Sequence, residues 1–297
     1  MRIGIDLGGT KIAAAAMAAD GSIGPRHRRP TPQDYDETLS VILQLVEEVE
    51  AEAGPCDRLG IGTPGALSPW SGVMKNADNT ALNGKPFGTD LERVLGRGVR
   101  LANDADCFAL SEAVDGAAGG SNVVFGVIVG TGCGGGLVVN GQVIGGKNAI
   151  GGEWGHNPLP WPSGGEVPGP KCYCGRHGCI EQYLAGPGLE RDHLGAAGVA
   201  LSAQEIELGA VAGDPACVAT LDRYVDRMAR SLASIINVID PDAIVLGGGV
   251  SRMEAIYERV PGIWGEYIYS DHVATKLVPN MHGASSGLRG AAWLWPA

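Results

Sequence analysis

The pattern that most constrains this chain is a glycine turn between two short apolar strands, and it occurs twice. At the start, RIGIDL alternates apolar with small or polar residues, the glycines at 8–9 interrupt it, and TKIAAAA resumes the alternation. Further along, VVFGVIV leads into the turn GTGCGGG at 130–136, and LVVNGQV returns from it. Because a period of two is the signature of a strand, each copy predicts a β-hairpin.

The segments after the two hairpins also follow a common order. After the first hairpin, a helical pattern lies within 39–49, a strand at 59–61 leads into GTPG, and a strand at 99–102 opens into NDADCFALSEAV. After the second, a Gly-, Pro- and Cys-rich stretch reads as irregular, an apolar face repeats through 218–239, and AIVL predicts a buried strand. This repetition predicts a duplicated α/β fold with two domains and a ligand in the cleft between the copies.

Composition narrows the functional classes. The 297 residues carry 33 acids against 22 bases, a net charge of −11, and no basic run that could neutralise a phosphate backbone, so nucleic acid is a poor partner. The chain has no apolar stretch long enough for a membrane span and opens on a strand pattern in place of a signal peptide, which predicts a cytoplasmic protein without a membrane partner.

The glycine turns suggest phosphate binding. Bare backbone N–H groups around a tight turn form an anion-binding concavity, and two such turns facing each other could clamp a nucleotide. In the first turn, Asp6 could hold a hydrated Mg²⁺, and Thr10 and Lys11 could contact phosphate oxygens. The second turn satisfies G-x-G-x-x-G, but a strand follows where a dinucleotide fold needs a helix, and neither turn ends as a Walker loop does.

Three cysteines lie together in CYCGRHGC. Four other cysteines are scattered among apolar or small neighbours, which indicates buried free thiols and no disulfide scaffold. Cys172, Cys174 and Cys179 supply three soft ligands, and Zn²⁺ is their usual occupant once a fourth donor is found. Spacing alone allows either His156 or His177 as that donor. Four protein ligands leave no open position, so the predicted zinc is structural.

The motifs together resemble a known family. GIDLGGTK, GTPG, NDAD, GTGCGGG, GEWGH, CYCGRHGCIE and LGGGVS follow the order and spacing seen in the ROK family of sugar kinases, over essentially the whole chain. MKNADNTALNGKPF, SEAVDGAA and RGAAWLWP are most similar to bacterial ROK fructokinases of the fructo(manno)kinase type. The resemblance implies an actin/hexokinase-like, ribonuclease H-like ATPase fold. A smaller domain at 1–108 would be completed by a helix at 284–297, and a larger domain at 109–283 would carry a zinc-binding loop at 152–182.

The resemblance also implies an activity. It predicts an ATP-dependent, Mg²⁺-requiring homodimeric kinase that phosphorylates a hexose at its 6-hydroxyl, with D-fructose as the first candidate. A mannokinase, a glucokinase or a non-catalytic sugar sensor is the alternative. The chain begins at its first strand without a helix-turn-helix, which disfavours the repressor branch of the family.

The family's functional positions map onto this sequence residue by residue. Asp104 matches the catalytic base, a carboxylate kept ionised by the dipole of the helix that it opens, although Asp106 places a second acid two residues on. His156 matches the fourth zinc ligand. The sugar-contacting positions are Gly65, Asn79, Asn103, Asp104, Glu153, His156 and Glu181. The nucleotide positions are Asp6, Gly8, Gly9, Thr10, Lys11, Gly130, Thr131, Gly132, Gly247, Gly248 and Gly249.

Overall fold

The computed structural model describes residues 1–77 and 80–296. Its strands are β1 Arg2–Leu7, β2 Lys11–Met17, β3 His27–Pro30, β4 Leu59–Thr63, β5 Ala66–Leu67, β6 Met74–Lys75, β7 Val99–Asn103, β8 Val123–Val129, β9 Cys133–Val139, β10 Gln142–Val143, β11 Ala243–Gly247 and β12 Lys276–Pro279. Its α-helices are α1 Tyr35–Ala53, α2 Phe87–Leu95, α3 Asp104–Val114, α4 Glu181–Leu184, α5 Gly186–Ala197, α6 Ala203–Val211, α7 Pro215–Ile239, α8 Glu254–Ile263 and α9 Ser286–Trp293.

The two main sheets have matching strand orders. One runs β3-β2-β1-β4-β7 and the other β10-β9-β8-β11-β12. In the first sheet, the hairpin strand β1 pairs in parallel with β4, and β4 pairs in parallel with β7. In the second, β8 pairs in parallel with β11, and β11 pairs in parallel with β12. The predicted α/β class and its internal duplication are confirmed.

Contacts divide the chain into two compact units. The first comprises Met1–Gly120, Gly136–Gly152 and the segment from Met281 to the C-terminus, and the second comprises Ser121–Gly135 and Glu153–Asn280. The boundary predicted at residue 108 falls inside α3, and all of α3 belongs to the first unit because it packs along α9. The predicted C-terminal helix corresponds to α9.

Helix α1 covers the core of the first unit. Asp34 caps it by accepting a hydrogen bond from the Glu37 N–H at 2.9 Å, which satisfies one of the unpaired amides of the first turn. Its apolar face matches the helical pattern in the sequence and packs with strand residues; this buried set includes Ile3, Ile5, Leu39, Ile42, Leu45, Val46, Val49, Leu59 and Ile61. Each such side chain contributes about 1.5–3 kcal/mol relative to an exposed one.

Glycines let α9 approach its neighbours in the first unit. A Cβ on Gly290 would lie 2.7 Å from the Cα of Cys107 and closer still to its carbonyl group. A Cβ on Gly60 would likewise collide with the backbone of Ala291 in α9. The backbones are therefore in direct contact, which fixes α9 against both α3 and the sheet.

Helix α7 forms the core of the second unit, and it also buries two arginines. Val225, Met228 and Leu232 are fully buried, as the apolar pattern predicts. Arg227 is 7% exposed and Arg230 is 3% exposed, because the irregular segment before the thiols covers them. No helix in the described part of the chain is long and apolar enough to cross a membrane.

Candidate active site and thiol cluster

In the first unit, functional candidates follow three neighbouring parallel strands. Asp6 near the end of β1 is opposite Gly62 in β4, and Thr63 at the end of β4 is opposite Asn103 at the end of β7. Because parallel strands end at the same edge of a sheet, the turn GTPG and the segment NDAD emerge beside Asp6. This edge is where open α/β sheets bind ligands.

Asn103 connects two of the predicted sugar-contacting positions. Its side-chain oxygen caps α3 by accepting from the Ala105 N–H at 2.9 Å, and its Nδ2 donates to the Gly65 carbonyl at 3.1 Å. Gly65 has φ +67°, and a Cβ there would collide with the Lys75 carbonyl oxygen, so only glycine suits this turn. A further predicted contact of this unit, Asn79, lies outside the described residues.

Exposure distinguishes the two acids of NDAD. Asp104 is the first residue of α3 and is exposed, and its carboxylate accepts from the Ala105 N–H at 2.8 Å. Asp106 is only 7% exposed. Asp104 is therefore the accessible acid of this motif.

The first glycine turn presents Thr10 and Lys11 to solvent. The Gly8 N–H donates to the Lys11 carbonyl at 3.0 Å, and the Thr31 hydroxyl donates to the Gly8 carbonyl at 2.6 Å, which together fix the turn. Burial raises the pKa of the nearby Asp6 carboxyl, and the charges of Lys11 and Arg26 oppose that rise. Asp6 is half-buried, and a carboxylate oxygen is a ligand type that Mg²⁺ prefers, so this residue could hold a hydrated ion.

In the second unit, the predicted nucleotide residues come together at the ends of β8 and β11. The Gly130 N–H donates to the Gly132 carbonyl at 2.9 Å, and Gly130 accepts from the Gly186 N–H at 2.8 Å. Gly248 has φ +90°, and a Cβ there would collide with the backbone of Val129 at the end of β8. The turn at 130–132 therefore lies beside Gly248, and Thr131, Gly248 and Gly249 are exposed there, whereas Gly247 is buried at the end of β11.

Glu181 connects this turn with the thiols. The residue is 8% exposed, and its Oε2 accepts from the Cys133 N–H at 3.0 Å, while Oε1 lies 4.0 Å from the Sγ of Cys172. The exposed Glu153 precedes a 3₁₀-helix at Trp154–His156. The buried Trp154 anchors that helix by donating from its indole Nε1 to the Gly134 carbonyl at 3.0 Å.

The three thiols and one imidazole converge on a common point. One ligand atom from each of His156, Cys172, Cys174 and Cys179 lies within 4.8 Å of the others. The His156 Nδ1 is 3.6 Å from the Cys172 Sγ, and the Cys174 and Cys179 Sγ atoms are also 3.6 Å apart. A tetrahedral zinc with Zn–S bonds of about 2.3 Å has an S···S edge of about 3.8 Å, so this donor set fits zinc.

The structure also separates the two candidate histidines. His177 is outside the cluster, where its Nδ1 pairs with the Gly169 carbonyl at 3.2 Å. His156 joins the thiols through Nδ1. Its other ring nitrogen, Nε2, lies 2.9 Å from the hydroxyl of Tyr173. The sequence analysis did not identify Tyr173 as part of this site. The only feature of the sequence that could have indicated it is its position between Cys172 and Cys174.

Comparison with known proteins agrees with these motifs. The ROK family model matches residues 2–297. The N-acetyl-D-glucosamine kinase of Pectobacterium atrosepticum is 38% identical, with 99% of this chain and 98% of the relative covered. The enzyme of the same name from Shigella boydii is 40% identical, with 99% of both chains covered.

Solved structures support the same fold. The ROK hexokinase from Thermus thermophilus matches with a TM-score of 0.88 and 34% identity, covering 99% of this chain and 97% of the other. A ROK glucokinase from Streptomyces griseus, solved with glucose and AMPPNP, matches with a TM-score of 0.77 and 27% identity, covering 98% and 97%. The predicted actin/hexokinase-like fold is confirmed, and the chain belongs to the ROK family, with sugar kinases as its homologues.

Proposed function

We propose that this protein transfers the γ-phosphoryl group of ATP to the 6-hydroxyl of a hexose. The observation that carries the proposal is the placement of an exposed Asp104 at the start of α3, beside the Asn103–Gly65 hydrogen bond. Asp6 belongs to the same sheet edge. A base, a sugar-contacting amide and a carboxylate for Mg²⁺ are thus held by adjacent strands.

Asp104 is the proposed general base. Its carboxylate accepts the proton of the 6-hydroxyl as that oxygen attacks the γ-phosphorus, while the bond from the γ-phosphorus to the bridging oxygen breaks and ADP leaves. The positive end of the α3 dipole favours the ionised carboxylate before the reaction. Phosphoryl transfer needs little further covalent chemistry from the protein, so positioning supplies most of the rate. Asp6 would hold Mg²⁺ through water, and the bound ion would neutralise charge on the phosphate oxygens.

The proposed binding residues form two groups, one for the sugar and one for the nucleotide. Amide and carboxylate side chains suit sugar hydroxyls, because each pairs with adjacent hydroxyls and an unmatched one costs about 1–3 kcal/mol. Exposed glycine backbone suits phosphates and the adenosine. The proposed sugar contacts are Gly65, Asn79, Asn103, Asp104, Glu153, His156 and Glu181; the proposed nucleotide contacts are Asp6, Gly8, Gly9, Thr10, Lys11, Gly130, Thr131, Gly132, Gly247, Gly248 and Gly249.

The proposed zinc is structural. His156, Cys172, Cys174 and Cys179 would complete a closed tetrahedron, which leaves no position for substrate. The ion would stabilise the loop that carries both His156 and Glu181. The cytoplasmic location and the homodimer expected from the sequence stay predictions.

Two sugars lead the list of candidate acceptors. N-acetyl-D-glucosamine comes first, because the relatives that are 38–40% identical along nearly their whole length carry that activity in their names. Fructose, expected from the fructokinase-like motifs, comes second. Mannose and glucose complete the panel, since the family includes the S. griseus glucokinase.

A coupled ADP-release assay tests the proposal. Purified, zinc-replete protein is assayed with ATP and each of the four sugars, and kcat/KM ranks them. Asp104→Asn should retain sugar and nucleotide binding and lose about 10²–10⁴ in kcat. Asp57→Asn, at an exposed site of the same unit, is the matched control. Absence of ADP release with every sugar would refute the kinase proposal, and near-normal turnover of Asp104→Asn would refute the assigned base.

A further inference from the structure

Tyr173 makes a directed contact with the imidazole of the thiol cluster. Its hydroxyl oxygen lies 2.9 Å from the His156 Nε2. The two rings meet edge to face, with centroids 5.1 Å apart and an interplanar angle of 86°. The side chain is 68% exposed, so burial does not force it against the histidine. A large exposed ring held at hydrogen-bond distance from one nitrogen indicates a specific pairing.

The cluster determines which His156 nitrogen carries the proton. Nδ1 lies 3.6 Å from the Cys172 Sγ, on the side of the four convergent donors. A nitrogen that binds a metal must present its lone pair, so the ring proton belongs on Nε2. With Nδ1 facing the metal position, the Tyr173 oxygen, 2.9 Å from Nε2, is the atom placed to accept a hydrogen bond from this proton. In metal sites, such a partner fixes both the tautomer and the orientation of the ring.

One tight turn carries Tyr173 together with the thiols. The Gly175 N–H donates to the Cys172 carbonyl at 3.0 Å, and the Cys172 N–H donates to the Arg176 carbonyl at 2.8 Å. Tyr173 is therefore fixed between Cys172 and Cys174 by the turn that places their sulfur atoms. His156 comes from a separate segment, and the tyrosine hydroxyl links its ring back to this turn.

We propose that Tyr173 is a positioning residue for His156. Its hydroxyl accepts from Nε2–H and holds the ring so that Nδ1 faces the three thiols. The proposal rests on the proposed metal site, which is part of the proposed function, but it requires neither sugar nor ATP. In this arrangement the hydrogen bond from Nε2–H goes to the Tyr173 hydroxyl. A sugar hydroxyl can therefore bind this nitrogen only if it displaces the tyrosine hydroxyl.

Tyr173→Phe is the appropriate variant, because phenylalanine keeps the edge-to-face ring contact and removes only the hydroxyl. The full-length protein is stripped of metal, and its Zn²⁺ affinity is measured by competition with a chromophoric chelator. Loss of such a partner typically weakens metal binding 10–100-fold. Because Tyr173 is 68% exposed and water can replace part of the interaction, we expect a loss of about tenfold. Tyr269→Phe, at a fully exposed tyrosine of the same unit, is the control and should leave the affinity unchanged.

A spectroscopic measurement on the unaltered protein gives a second test. Long-range ¹H–¹⁵N NMR of the Zn²⁺-loaded protein should show His156 protonated at Nε2, with this proton exchanging faster with water in Tyr173→Phe. Equal Zn²⁺ affinity and equal proton exchange in the two proteins would overturn the proposal. An inability of the wild-type chain to bind Zn²⁺ would also overturn it. A kinase assay without turnover would leave this proposal intact, since both readouts are independent of phosphoryl transfer.

Discussion

Glu166 offers the sharpest test of how the loop before the thiols is held in place. Its carboxylate accepts hydrogen bonds from the Arg227 Nε at 2.7 Å, from the Arg230 Nη2 at 3.1 Å to each oxygen, and from the Ser163 N–H at 2.9 Å. Burial alone would raise the pKa of Glu166, but the hydrogen bonds from Arg230 and Arg227 outweigh it and hold the pKa below its usual range. The carboxylate is therefore ionised, and its negative charge partly neutralises the positive charges of two buried guanidinium groups.

Glu166→Gln removes this charge with almost no change in volume. Breaking a buried ion pair typically costs 3–5 kcal/mol, because the remaining charge is left without its partner. Here Arg227 keeps Asp192 at 2.8 Å and Arg230 keeps Asp226 at 2.9 Å, so part of the compensation survives. We expect a loss of about 2–4 kcal/mol in the free energy of unfolding. At about 2–4 °C per kcal/mol, we expect the Tm to fall by roughly 4–16 °C.

Differential scanning calorimetry measures this change, with Glu258→Gln as the control. Glu258 is an exposed residue of α8 in the same unit, and its substitution should alter stability by no more than about 0.5 kcal/mol. If Glu166→Gln and Glu258→Gln had the same small effect, the buried ion pairs would not stabilise the loop.

Three further predictions concern other parts of the molecule. The hydrogen bond from Arg97 lowers the pKa of Glu50, so between about pH 5 and pH 3 the unfolded state binds more protons than the folded state. The contribution of this pair to the free energy of unfolding should be fully present above about pH 5 and decline toward pH 3, and a Tm that stays constant across this range would contradict the sign. Gly290→Ala should lower the free energy of unfolding, measured by denaturant titration, by about 1–3 kcal/mol through its clash with Cys107, whereas Gly195→Ala, where a Cβ meets nothing within 4 Å, should cost nothing. Cys174→Ser or chelation of the metal should weaken sugar binding more than AMPPNP binding by calorimetry, and equal losses would mean that the metal only supports the fold.

Local patterns were sufficient to predict the duplicated architecture. Alternation around two glycine turns identified the hairpins, and the matching sheet orders confirm that the chain repeats one topology. The long helix was also predictable, because the apolar spacing within 218–239 depends only on the helical period. The same pattern gave no warning that Arg227 and Arg230 are buried. Their burial depends on Glu166 and its loop, which are more than fifty residues away in sequence.

The thiol cluster also has a part that local spacing predicts and a part that depends on distant segments. Spacing identified three cysteines and two possible histidines, but it could not choose between His156 and His177. The choice depends on backbone conformation: His156 begins a segment that returns to the thiols, since the Ile180 N–H donates to the Asn157 carbonyl at 2.9 Å. His177 turns outward to the Gly169 carbonyl. The contact of Tyr173 with Nε2 was equally unpredictable, because it requires the two segments to meet.

The sequence by itself determined the α/β class, the duplication, the glycine turns and the order of the chemical motifs, since each of these follows from the spacing of neighbouring residues. Residue spacing left open which acid of NDAD is accessible, which histidine joins the thiols, and how Glu181 is held, and only the folded structure answers these questions. Asp104 is exposed and Asp106 buried because α3 is packed in its unit, and Glu181 is fixed by the Cys133 amide from a strand far away in sequence. Burial and long-range hydrogen bonds depend on which segments pack together, and local residue spacing does not encode that information.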